Sequence, residues 1–96
     1  MTILHIINQS PLDSDSLKRC LSLFGETSQT VADSILLIEE GVYGLLKKDL
    51  PTHIKLYALK ADVEARGLTC QHAFVTFIDA NEFVDLTISH DKSLTW

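Results

Sequence analysis

Four runs of β-branched, aliphatic and aromatic residues punctuate the chain: Ile3-Leu4-His5-Ile6-Ile7, Ser34-Ile35-Leu36-Leu37-Ile38, Ile54-Lys55-Leu56-Tyr57-Ala58-Leu59 and Phe74-Val75-Thr76-Phe77-Ile78. Each has the length and residue types of a β-strand. The second is continuously apolar from Ile35 to Ile38, which suits a strand covered on both faces of a parallel sheet. Successive runs stand some 14 to 26 residues apart, too far for hairpins and enough for crossover helices. Strands are therefore expected near residues 2–8, 33–38, 54–59 and 73–78.

The segments between them carry helical signals. Pro11-Leu12-Asp13-Ser14-Asp15 offers turn and N-cap chemistry, and Leu17, Cys20, Leu21 and Phe24 then recur at i, i+3, i+4 and i+7, with Gly25 expected to close the helix. A shorter helix is expected from Gly41 to Lys48, its two lysines suiting the negative end of the dipole, with Pro51 soon after. Ala61 to Arg66 forms a third, stopped by Gly67. Asp79-Ala80-Asn81-Glu82 reads as a capping box opening a last helix that buries Phe83 and Leu86, flanked by Val84 and Ile88. Alternating strands and helices predict one Rossmann-like α/β layered domain over residues 1–96, with a mainly parallel sheet of about four strands flanked by helices.

Composition sharpens this picture. Ninety-six residues, 46% apolar and 22% charged, fit an ordinary globular domain. At this length only roughly 60–65% of the unfolded chain's surface is buried, so the core is marginal and a partner would help it. Eight basic against thirteen acidic residues leave a net charge of −5, which removes the cationic footprint that nucleic-acid binding needs. The dense basic spots Lys18-Arg19 and Lys47-Lys48 read as solvated helix faces. The start of the sequence lacks the basic and small-residue pattern of a signal peptide, and no apolar run approaches the roughly 20 residues of a membrane span. A cytoplasmic protein is expected.

Candidate chemistry is sparse. Gly41-Val42-Tyr43-Gly44 follows a strand and opens a helix, where phosphates bind in Rossmann folds, but it matches neither glycine-rich phosphate motif. Glu39-Glu40 just before it would repel an anion, and they read instead as candidate interface contacts at a strand's carboxyl end. His5, His53, His72 and His90 lack metal-ligand spacing, and no cofactor or metal is expected. His5 reads as a satisfied core or interface histidine and His90 as a complement to the last helix's dipole. No G-x-S-x-G elbow supports a serine triad. Cys20 shares the apolar stripe of the first helix, as a buried thiol would, while its neighbours Lys18 and Arg19 would favour a thiolate. Cys70, in the loop before the fourth strand, has only His72 nearby in sequence and reads as incidental.

Several stretches resemble the TusB/DsrH family. They are Leu4-His5-Ile6-Ile7-Asn8-Gln9-Ser10-Pro11, Leu36-Leu37-Ile38-Glu39-Glu40-Gly41-Val42-Tyr43, the long run from Lys55 to Leu68, Phe83-Val84-Asp85-Leu86-Thr87 and the terminal Trp96. The resemblance spans essentially the whole chain. It implies a DsrE/F/H-like fold and the B/H subunit of TusBCD/DsrEFH sulfur-relay complexes. In these, two copies each of three homologous subunits form a hetero-hexamer that accepts persulfide sulfur and passes it to a downstream sulfur-carrier protein. The principal accepting cysteine is that of the D/E-type subunit. Here the partners would be C/F-type and D/E-type subunits, and Cys20 an accessory sulfur carrier in a non-catalytic or accessory subunit. In the Tus branch the sulfur reaches 2-thiouridine at the tRNA wobble position, and Leu94-Thr95-Trp96 resembles that branch. The alternatives are a DsrH-type subunit in dissimilatory sulfur oxidation, a stand-alone small sulfurtransferase using Cys20, and a homo-oligomeric binding module without a sulfur role.

Overall fold

The computed structural model describes residues 2–26, 33–51, 54–70 and 72–96. Strands β1 (Ile3–Ile7), β2 (Ser34–Leu37), β3 (Lys55–Leu59) and β4 (Thr76–Ile78) occupy the four apolar runs. A fifth, β5 (Lys92–Thr95), follows the last helix. All neighbouring strands pair in parallel, in the order β4-β3-β2-β1-β5. The expected four strands thus become five. β5 went unseen because Lys92, Ser93, Leu94 and Thr95 are all exposed, so this edge strand needs no apolar run. β4 is shorter than its run because a turn, closed by Val75 N–H donating to His72 O, occupies its start.

Helices lie where the crossovers require them, with differences of extent and type. α1 (Ser16–Glu26) runs one residue past Gly25, and the side chain of Phe24 lies outside the described residues. The expected Gly41–Lys48 helix is a 3-10 helix over Glu39–Leu46, with Lys47 and Lys48 beyond its end. The chain turns sharply there: Glu39 adopts a left-handed φ of 50°, and Gly41 N–H donates to Ile38 O at 2.8 Å. A Cβ at Gly41 would collide with the carbonyl oxygen of Ile7, and one at Gly44 would lie 2.6 Å from Leu17 Cδ2. Close approach of backbone to strand and of helix to helix therefore explains both glycines.

α2 (Lys60–Ala65) ends before Gly67, whose φ of +63° supplies the expected left-handed stop. α3 (Ala80–Ser89) opens on the expected capping box, Asp79 accepting from Glu82 N–H while Glu82 accepts from Asp79 N–H. Phe83 and Leu86, expected to be buried, are only half-buried, and α3 has no buried residue.

Strand alternation divides the core. Ile7, Ile35, Leu37, Leu56 and Ala58 face a cluster completed by Leu17 and Cys20 of α1, Val42 and Leu45 of the 3-10 helix and Val63 of α2. Leu4, Ile6, Leu36 and Ile78 face the other way, against Phe83 and Leu86 of α3. The topology explains this split. β1 to β4 step in one direction across the sheet, whereas the α3 connection returns past three strands to β5. Crossovers of one hand then place α3 on the opposite face.

Candidate functional site

Cys20 lies on the sheet-facing side of α1 and is fully buried in the larger cluster, as its place in the apolar stripe predicts. Burial, and then the negative charge of Asp33, push its thiol up to about 12. Sulfur transfer requires a thiolate that can reach the donor's sulfane sulfur. Lys18 and Arg19, the residues expected to favour that thiolate, are both exposed, and Arg19 pairs with Asp15 at 3.4 Å. The conformation described therefore holds Cys20 as a neutral, covered thiol.

Cys70 is half-buried beside the same cluster, where His72 N–H donates to its sulfur at 3.4 Å. The imidazole of His72 is engaged elsewhere, with Nε2 2.6 Å from the carbonyl oxygen of Lys47. Glu39 and Glu40 sit at the carboxyl end of β2 as expected, and α2 meets them. Asp62 accepts from Glu39 N–H at 2.7 Å, which helps hold the left-handed turn. Arg66 donates through both Nε and Nη2 to Glu40 Oε1, and that contact raises the guanidinium's pKa. Glu40 through its carboxylate and Glu39 through its backbone N–H clamp the 3-10 helix to α2.

The most enclosed polar arrangement joins the first and last strands. His5 is buried on β1; its Nε2 lies 3.0 Å from Asp33 Oδ2, and Asp33 Oδ1 accepts from Ile3 N–H at 2.9 Å. Trp96 Nε1–H donates to His5 Nδ1 at 3.1 Å, and its ring sits 6.0 Å from the imidazole. Accepting at Nδ1 places the proton of a neutral imidazole on Nε2, directed at Asp33. His5 is thus a satisfied core histidine that ties the end of β5 to β1. Asp33, just before β2, escaped sequence reasoning; its one signal was an acid abutting a continuously apolar strand.

His90 caps α3, its Nδ1 at 2.8 Å from Leu86 O and its Nε2 at 3.0 Å from Ser34 Oγ. His53 lies outside the described residues. Among the described residues no group of three or more His, Cys, Asp or Glu side chains stands close enough to hold a metal ion, and no helix is long and apolar enough to cross a membrane. The structure does not gather its candidates into one centre. The buried thiol and the strand-linking histidine share one face of the sheet, with the Asp33 carboxylate acting on both, and the clamp stands apart.

Known proteins complete the picture. The chain is 35% identical to Protein TusB of Pectobacterium parmentieri over 98% of its own length and 100% of the relative's. It is 37% identical to Protein TusB of Serratia proteamaculans (strain 568), again over 98% of the chain and all of the relative. In structure it is similar to the ychN protein from E. coli, with a TM-score of 0.78 at 20% identity, covering 100% of this chain and 99% of that one, which shows the shared fold. The family described as DsrH like protein matches residues 9–93. By that match and by full-length relatives above 30% identity, the chain belongs to the DsrH-like family.

Proposed function

We propose that this protein is an accessory subunit of a cytoplasmic sulfur relay, a member of the assembly rather than its principal sulfur carrier. The observation that carries the reading is the burial of Cys20 in a chain of the DsrH-like family: family membership supports the relay, and a covered thiol with a pKa of about 12 supports the accessory role. In such a relay a thiolate attacks the outer sulfur of a donor persulfide, takes that sulfur and releases the donor thiolate, with no net oxidation. A neutral thiol beneath α1 is poorly placed for that attack, so Cys20 acts as a carrier only if α1 lifts.

The finer reading follows the TusB relatives. On the TusB/DsrH resemblance, one domain over residues 1–96 joins homologous C/F-type and D/E-type subunits in a hetero-hexamer, and the sulfur ends in 2-thiouridine at the tRNA wobble position. The net charge of −5 supports handing sulfur to proteins over holding tRNA directly. The test is co-expression with its C- and D-type neighbours, sizing of the complex, and measurement of tRNA thiolation with wild-type protein and with Cys20→Ser. A stable complex is expected, with thiolation largely retained in the variant. A monomer that ignores both partners would remove the assembly reading. Complete loss of thiolation, with the complex intact and the D-type cysteine still loaded, would place Cys20 on the transfer path.

A further inference from the structure

The face of the sheet carrying α3 is thinly covered. Five strands about 4.8 Å apart span about 19 Å, whereas a ten-residue helix is about 15 Å long and about 10 Å wide. Beside α3 lie two adjoining clefts of about 270 and 300 Å³, which share Tyr57, Leu86 and Ser89. Together they form a shallow trough over β3, running from Thr76 on β4 to Ser34 on β2. On the outer side of the helix, Val84 and Ile88 stand one turn apart and are 56% and 76% exposed.

Charge says what fits there. From Asp79 to Asp91 the chain carries Asp79, Glu82, Asp85 and Asp91 and no lysine or arginine, and all four acids are exposed. The trough's one lysine, Lys55, lines the cleft toward Ser34 and not the one that Glu82 and Asp85 line. Asp79 and Glu82 are used in the cap and Asp91 accepts from Thr2 N–H. None of the four forms an ion pair among the described residues. A second copy docking by the same face would bring two such acidic segments together, since a two-fold contact is self-matching, and nucleic acid carries the same sign of charge.

We propose that the outer face of α3, with the trough beside it, is a docking surface for a partner protein that presents lysine or arginine side chains around a short apolar ridge. The apolar pair Val84 and Ile88 supplies contact area, while the acids set orientation and speed encounter. This placement concerns the chemistry of one surface and stands whether or not the relay reading holds.

The experiment titrates the full-length, 15N-labelled chain with a synthetic amphipathic Leu/Lys helical peptide and follows amide shifts at 0.15 M salt. Two charge-matched single variants are compared, Asp85→Lys on α3 and Asp13→Lys on the turn before α1. Expected are shifts concentrated on α3, β3 and β4, binding at least tenfold weaker in the α3 variant, and binding within twofold of wild type in the control. Ile88→Ser, at an exposed position, is expected to weaken binding about threefold without moving the melting temperature. Equal weakening by both charge variants, shifts scattered over the surface, or a concentration-dependent homodimer through α3 would each overturn the proposal.

Discussion

On one side of the sheet, Ile35, Leu37 and Ala58 are completely buried beneath α1, the 3-10 helix and α2; on the other, Leu4 and Leu36 are as deeply buried, but Tyr57 and Leu59 are half open beside α3 alone. The two sides are built from one set of strands, so the difference lies in what crosses over them. Three connections share the first side because the four strands β1 to β4 step the same way. One connection, through α3, serves the second. The first side holds the fold together, and the second keeps surface in reserve.

Substitutions break or sharpen this contrast. The largest effect is expected from Leu37→Ala, which empties a fully buried position and should lower unfolding free energy by about 3 kcal/mol in urea titrations. Leu86→Ala, half-buried on the other side, should cost about 1.5 kcal/mol, and equal losses would erase the contrast. Asp33→Ala removes the acceptor for Ile3 N–H and for His5 Nε2–H, and about 2 kcal/mol should be lost, with a change in Trp96 emission as its ring loosens.

Alkali probes the packed side through Cys20. An unfolded thiol ionises near 9, whereas the folded one resists until about 12. The native state therefore holds the extra proton between those values. The contribution is fully present below pH 9 and is lost as pH rises toward 12, with a slope approaching 1.4 kcal/mol per pH unit, or about that for one proton. Cys20→Ala should flatten this part of the curve, and parallel wild-type and variant curves would contradict the assignment. The smallest effect belongs to the open side: Asp79→Ala should cost about 1 kcal/mol, with faster amide exchange confined to the first turn of α3.

Sequence reading succeeded where burial on both faces writes a continuous apolar run, as in Ile35 to Ile38, and where a local rule is short-ranged, as in the Asp79–Glu82 cap or Gly67. It failed at β5, because an edge strand paired to β1 through its backbone demands nothing of Lys92 or Ser93. The 3-10 geometry of Glu39–Leu46 was hidden for a different reason: the close approach of Gly41 to Ile7 is a tertiary constraint with no local signature. For the candidate chemistry, the stripe correctly placed Cys20 inside. The partners of His5 were beyond reach, since Asp33 lies 28 positions away and Trp96 lies 91 away.

The pairing of β5 with β1 also sets a timetable. During synthesis β1 emerges first, and β2 can cover one of its edges once residue 37 has cleared the ribosome. The opposite edge stays bare until residue 95 has followed, because β5 alone closes it. At a typical elongation rate, those intervening residues take roughly 3–12 s. Through that window an apolar central strand shows a row of open hydrogen-bonding groups, the kind of template on which other nascent chains stack. The late arrival of four solvent-facing residues thus governs how long the newborn chain depends on shelter from its neighbours.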